Sequence, residues 1–217
     1  MVRIDSSLPN FDFEHAAYAR GFARVAGIDE AGRGPWAGPV VAAAVILDPG
    51  ALPEGLNDSK KLTPARRAEL YDIILARAEV GIGIVDVAVI DRDNILQATY
   101  AAMVQAVSAL VRAPLLALVD GNRAPKLVCP AETIIEGDGK CLSIAAASIV
   151  AKVTRDRMMV DLDQQCPGYG FAKHKGYGTA DHQEALSRLG PSAHHRRSFE
   201  PIRVLYETAM APGALSF

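Results

Sequence analysis

A chain of 217 residues, half of them apolar and 22% charged, has enough hydrophobic side chain for a sizeable core and too much for intrinsic disorder. Its 23 basic residues against 25 acidic ones give a net charge of −2, which excludes a globally basic nucleic-acid wrapper but allows a local basic groove. The longest apolar run, Val40–Leu47, is too short for a membrane helix, the N-terminus does not read as a signal peptide, and Cys129, Cys141 and Cys166 lack disulfide or zinc spacing, so a cytoplasmic protein is expected.

Residues 1–23 read as a lead-in that packs loosely or caps the core, ahead of one domain over 24–217. Arg24–Glu30 predicts a short strand, and Pro39–Leu47, apolar throughout, a strand buried on both faces. Only a turn punctuated by glycine and proline separates them, so they should pair antiparallel. Thr63-Pro64 is an N-cap followed by proline at the first helical position, and Leu70, Ile73, Ile74 and Ala78 keep a helical rhythm behind it. Val80–Val85 reads as a strand and Asn94–Arg112 as a longer helix closed by Pro114. Leu115–Asp120 is a second buried strand, with a short one starting at Thr133. An Ala-rich helix over Ser143–Met158, a helix over Thr179–Arg188 stopped by Gly190, and a last helix over Pro201–Met210 follow. This order predicts an α/β fold with a mixed sheet.

Gly32-Arg-Gly-Pro-Trp-Ala37 has the form of a dinucleotide-binding fingerprint but leads through Pro35, Gly38 and Pro39 into a strand, where that fingerprint must open a helix. Its glycines instead leave backbone N–H groups bare for a ligand. Asp29-Glu30 closes the first strand, Asp120 closes the strand from Leu115, and Asp138, between two glycines, falls at the end of the strand starting at Thr133. One Asp beside a Gly is usually a turn residue. Three strand ends carrying acids are a different matter, because ligands bind beyond strand ends and gathered carboxylates need a counter-charge. Divalent cations on oxygen ligands supply one, and two such ions about 4 Å apart can drive phosphodiester hydrolysis. Neighbouring strand residues face opposite ways, so Asp29 and Glu30 share a site only if the strand ends or bulges there.

Asn57-Asp-Ser-Lys-Lys-Leu62 with Arg66 and Arg67 forms a positive cluster, and Ser148 and Lys152 share one face of the Ala-rich helix. Lys173-His-Lys-Gly-Tyr-Gly178 and His194-His-Arg-Arg197 add donors. Such runs are usually solvated faces, and a His pair is more often packing than ligand. Short clusters interrupted by Tyr177 nevertheless suit phosphate clamping with an aromatic platform.

These blocks, with Gly27–Pro35, Asp120-Gly-Asn122, Gly137-Asp138 and Ala145–Val153, resemble the type 2 ribonucleases H from about Val25 to Arg203. The resemblance implies an RNase H-like fold, a mixed five-stranded sheet flanked by helices, with a C-terminal helical extension. It implies cleavage of the RNA strand of RNA/DNA hybrids and cutting 5′ of single ribonucleotides in duplex DNA, leaving 5′-phosphate and 3′-hydroxyl ends. Asp29, Glu30, Asp120 and Asp138 match the family's metal-site acids, which hold two Mg²⁺ or Mn²⁺ ions with substrate bound. Gly32, Arg33 and Gly34 match the element that reads the ribose 2′-hydroxyl, and Tyr177 the tyrosine that stacks on the following sugar. Ser59, Lys60, Ser148 and Lys152 match phosphate contacts. A binding module that had lost its chemistry would lack an acid, and a plain DNA nuclease would need neither the glycine turn nor Tyr177. The expected partners are hybrid and ribonucleotide-containing duplexes, with no membrane, and the expected state is a monomer.

Overall fold

The computed structural model describes residues 8–210; residues 1–7 of the expected lead-in and 211–217 of the expected domain lie outside the described residues. Five strands form one sheet: β1 (Val25–Ala31), β2 (Val40–Ile46), β3 (Glu79–Val85), β4 (Leu116–Asp120) and β5 (Ala131–Ile134). Their order is β3-β2-β1-β4-β5. β1 and β2 are antiparallel, as the short turn between them requires, and so are β2 and β3; β1–β4 and β4–β5 are parallel, so the sheet is mixed. The apolar run of β2 is buried on both faces because helices cover both. Ala43 and Val45 pack under α2 (Pro64–Arg77) and α5 (Leu142–Gln165), while Val40, Ala42 and Ala44 face α4 (Ile95–Ser108).

α2 begins as its sequence predicts, with the Thr63 side chain accepting a hydrogen bond from Arg66 N–H and Pro64 at the first position. α7 (Ala180–Leu189) is capped by Thr179 and ended by Gly190 at φ +68°. α6 (Phe171–His174) precedes it and α8 (Glu200–Met210) follows. No helix among the described residues is long and apolar enough to cross a membrane.

Three expectations need correction. The helix expected over 94–112 starts at Ile95, with Asn94 as its cap, and ends at Ser108, and a short α3 (Val87–Asp93) precedes it. Asn94 separates the two at φ +72°, its side chain accepting from the N–H groups of Leu96 and Gln97. The Ala-rich helix continues to Gln165, seven residues beyond Met158. Asp138 does not end a strand: β5 stops at Ile134, and Asp138 sits in a single 3₁₀ turn, Gly137–Gly139, that leads into α5. The lead-in carries a helix that no pattern in the sequence points to. Asp12–Ala19 forms α1, and this segment is stitched to the start of α5.

Asn10 N–H donates to Lys140 C=O and Leu142 N–H to Asn10 C=O. The buried Glu14 carboxylate accepts from Ser143 N–H at 2.8 Å and lies 3.1 Å from Cys141 Sγ. α5 has no side-chain cap of its own, so Glu14 satisfies one of its orphan N–H groups from another element. Burial, with the Glu14 charge second, pushes the Cys141 thiol up, so the thiol remains a neutral donor. Replacing Glu14 by Ala leaves a buried N–H unpaired and should cost about 1–3 kcal/mol, lowering the melting temperature by roughly 2–4 °C per kcal/mol. Glu14→Gln should cost less, and a melt that could not tell Glu14→Ala from wild type would remove this anchoring role.

Candidate active site

Parallel strands β1 and β4 point the same way, so their C-terminal ends bring Asp29, Glu30 and Asp120 to one edge of the sheet. The 3₁₀ turn before α5 delivers Asp138 to the same edge: Gly137 N–H donates to Asp120 Oδ1 at 2.7 Å. Packing supplies the rest. A Cβ on Gly27 would lie 2.1 Å from the Ser143 backbone carbon, so only glycine lets the start of α5 lie this close on β1.

Asp29 is buried, and one of its oxygens accepts Glu30 N–H at 2.7 Å. Burial, then the charges of Glu30, Asp120 and Asp138, hold its carboxyl well above the usual carboxylate range. Burial also raises Glu30, against the pull of Arg33, whose Nη1 lies 3.2 Å from Glu30 Oε1. Asp138 is raised by burial and then by Asp58, with Lys60 opposing at 3.6 Å. Burial disfavours the Lys60 cation, but Asp138, Asp58, Asp29 and Asp120 outweigh it and raise its pKa. Sequence reasoning left Asp58 out of the site, although it stands inside the Asn57–Leu62 block; its charge acts on Asp138, and its carboxylate accepts Lys60 N–H at 2.9 Å.

Among the described residues no three acidic, histidine or cysteine side chains already close around one point. Each acid instead has an oxygen engaged by an N–H or a cation and another to offer. Mg²⁺ asks for little more, since it often takes one or two carboxylates and completes its shell with water and substrate phosphate. The donor set therefore fits a hard divalent cation in an open site.

A cleft of about 280 Å³ holds most of the remaining expected residues. Asp29, Glu30 and the Gly32-Arg33-Gly34 turn line one side, and Ser59, Lys60, Ser148, Lys152 and Tyr177 also line it. Asp120 lines a neighbouring hollow of about 300 Å³, reached past Glu30 and Arg33, with Asn122, Arg123 and Tyr100. Lys60 and Tyr177 are well exposed, at 81% of the lysine side chain and 46% of the tyrosine, so both are open to a ligand. Ser148 is occupied structurally: its hydroxyl donates to Ala145 C=O and accepts Ser59 N–H, pinning the 57–62 loop to α5. Lys152 pairs with Asp156 at 2.7 Å.

Part of the basic set turns inward. His174, His195 and Arg196 are buried, so they are not the phosphate donors expected of their clusters. The histidines support Tyr177. Ser192 N–H donates to His195 Nδ1 at 2.9 Å, leaving the proton on Nε2, which lies 2.9 Å from His182 Nε2. His182 Nδ1 then donates to Tyr177 C=O at 2.9 Å. This chain is complete only while both rings are neutral. Burial, followed by the neighbouring His182 charge, pushes His195 down to about 4, and burial lowers His182.

A mixed five-stranded sheet with acids gathered at the ends of adjacent parallel strands defines a nuclease of the RNase H-like class. The chain belongs to the ribonuclease HII family, whose model, "Ribonuclease HII", matches residues 26–202. It is 59% identical over 201 residues to ribonuclease HII of Ruegeria pomeroyi, covering 92% of this chain and 86% of that one. With ribonuclease HII of Azorhizobium caulinodans it shares 59% identity over 205 residues, 93% of this chain and 79% of that one. Ribonuclease H2 from Pyrococcus horikoshii OT3 matches its structure with a TM-score of 0.70 at 28% identity, covering 85% of this chain and 98% of that one. Bst-RNase HIII, solved in complex with Mn²⁺, shares the fold at a TM-score of 0.69 and 19% identity, covering 90% of this chain and 73% of that one. The chain is a nuclease, a hydrolase acting on RNA/DNA.

Two predictions follow from these charges. Asp29→Asn keeps an oxygen for Glu30 N–H but removes a buried charge repelled by its neighbours, so the metal-free protein should melt a few degrees higher than wild type. Added Mg²⁺ should stabilise wild type and do little for the variant. Melts in EDTA and in excess Mg²⁺ check both, and a variant less stable in EDTA would mean that Asp29 supports the fold. For His195 the unfolded chain binds the extra proton below about pH 6.5, while the folded state resists it down to about 4. Stability should therefore fall as pH drops through that window. The acids titrate with the opposite sign, so the contribution is read as a difference: His195→Gln should show a shallower loss than wild type in melts between pH 7 and 4.

Proposed function

We propose that this nuclease cleaves the RNA strand of RNA/DNA hybrids and cuts on the 5′ side of single ribonucleotides embedded in duplex DNA, leaving 5′-phosphate and 3′-hydroxyl ends. One observation carries the reading. A single small cleft joins the acids Asp29 and Glu30 to the Gly32-Arg33-Gly34 turn and to Tyr177, with cations at its rim. A protein can distinguish ribose from deoxyribose at one position only through the 2′-hydroxyl, and main-chain groups on a glycine turn can approach that hydroxyl closely.

Asp29, Glu30, Asp120 and Asp138 would hold two divalent ions, Mg²⁺ or Mn²⁺, with substrate bound; the ions would supply an activated water and stabilise the leaving oxygen. The chain's own residues do the rest. Lys60 leans on Asp138 and Arg33 on Glu30, so both cations stand ready to meet backbone phosphate. Tyr177, exposed at the cleft, offers a platform for the sugar beyond the ribonucleotide. Lys152 adds charge from α5, and Ser59 and Ser148 hold the loop that carries Lys60. The protein acts as a cytoplasmic monomer on nucleic-acid duplexes.

A duplex carrying one ribonucleotide should be cut 5′ of that nucleotide in Mg²⁺, and its all-deoxy twin should stay intact. Asp120→Asn and Asp138→Asn should abolish cutting while the duplex still binds. Tyr177→Ala should lose roughly 1–3 kcal/mol of stacking and Tyr177→Phe less. Equal cutting of the two duplexes on a gel would overturn the ribose-reading assignment.

A further inference from the structure

Arg155, on α5, and Arg196, in the loop before α8, are fully buried side chains. Neither forms an ion pair among the described residues, and every hydrogen bond they make goes to a main-chain carbonyl. Arg196 Nη2 donates to Gly32 C=O at 2.6 Å and Nη1 to Arg33 C=O at 3.0 Å, while Nε and Nη2 reach Gly38 C=O at 3.0 and 2.8 Å and Nη2 also reaches Pro39 C=O at 3.2 Å. Arg155 donates to Pro39, Ala37 and Lys175 C=O at 2.9, 3.1 and 3.0 Å. Burying a guanidinium costs several kcal/mol unless its donors are met, and here carbonyl dipoles alone meet them. Burial lowers Arg155 to about 10, and burial with the nearby Arg155 charge lowers Arg196 to about 9, so both stay cationic at neutral pH.

The direction of these bonds has a consequence on the other side of the turn. In a trans peptide the C=O of one residue and the N–H of the next point opposite ways, and no cis peptide occurs among the described residues. Carbonyls 32 and 33 aim inward at Arg196, so the N–H groups of Arg33 and Gly34 aim outward, on the side where Gly32, Arg33 and Gly34 line the cleft. A cation behind a peptide also polarises it and strengthens its N–H as a donor. We infer that Arg196 is a positioning residue for ribose selection: by drawing the Gly32 and Arg33 carbonyls inward it turns the Arg33 and Gly34 N–H groups into the cleft as donors. The inference rests on the proposed reading of that turn as the ribose sensor. Arg155 is the natural control. It is also buried and cationic, lines the same cleft and packs its side chain against Gly32, but it holds carbonyls 37, 39 and 175 and none between 32 and 34. Lysine cannot replace Arg196 in this role, because an ammonium lacks the planar fork that spans several carbonyls.

The test compares Arg196→Lys and Arg155→Lys with wild type on two duplexes that differ by one 2′-hydroxyl, measuring binding in Ca²⁺ and turnover in Mg²⁺. Wild type should prefer the ribo duplex. Arg196→Lys should lose that preference by roughly tenfold, the worth of about one hydrogen bond, with affinity for the deoxy duplex unchanged within about twofold. Arg155→Lys should keep the preference. An Arg196→Lys protein with intact preference, or equal loss in both variants, would overturn the inference while leaving ribose reading in place; a wild type that bound and cut both duplexes alike would overturn the reading and the inference with it. Should Arg196→Lys fail to fold, amide exchange in wild type decides: the Arg33 and Gly34 amides should exchange freely in the free protein and be protected by the ribo duplex only. Protection of both amides in the free protein would place them inward and sink the proposal.

Discussion

Carboxylates gathered at one edge of a sheet repel each other, and every neighbouring element of this fold helps to hold them there. Asp29 suffers most, since it is buried as well as surrounded. The restraint comes from packing. The Ala-rich first half of α5 lies directly on β1, which Gly27 permits, and so the 3₁₀ turn carrying Asp138 is pressed against the end of β4. Glu14 fastens the start of α5 from α1, which makes the lead-in part of the apparatus that keeps the acids together. Cations then divide the load: Lys60 leans on Asp138 and Arg33 on Glu30, and each can be released when a stronger positive charge arrives.

The two kinds of charge in this protein are solved by opposite means. The acids at the sheet edge keep oxygens free for an external partner, while Arg155 and Arg196 spend their donors on internal carbonyls. Their targets form one piece. Residues 36–38 are zipped to 194–196 by the Arg196 N–H to Trp36 C=O and Gly38 N–H to His194 C=O bonds, and to the Tyr177 segment by Trp36 N–H to Gly176 C=O. The glycine turn and the tyrosine are thus anchored to a common support, and the histidine chain from Ser192 to Tyr177 C=O braces it from below.

Much of this was legible in the chain itself, and the gaps have physical causes. Strand β2 announces itself by an unbroken apolar run, α2 by its Thr cap, α7 by the glycine that stops it, and the acids by their glycine neighbours. Asp138 was misplaced because Gly-Asp-Gly reads equally as a strand end and as a one-turn helix, and only the contact with Asp120 decides. α3 was hidden by Val87, Val89 and Ile90, whose β-branched side chains favour strands, while Asp86 capping the helix through Val89 N–H outweighs them. α1 is short and weakly patterned, and it is held by packing of Ala17 and by the distant partner Ser143.

Arg196 shows best why the site could not be read in full. Four consecutive basic or imidazole residues, His194-His-Arg-Arg197, look like a solvated phosphate grip, because sequence registers charge and says nothing of direction. In the fold Arg197 sits at the surface, its N–H meeting Asp91, and Arg196 turns inward to carbonyls more than 150 positions away in the chain. A buried cation facing carbonyls has no local signature, since main-chain acceptors such as those of Gly32, Arg33, Gly38 and Pro39 exist whatever the side chain. Gly32 has one: at φ +96°, with the Arg155 side chain 2.0 Å from where a Cβ would stand, no other residue fits without displacing that arginine. The turn is therefore recognisable by its glycines as a place where backbone is laid bare, and the structure adds which charge lies behind it.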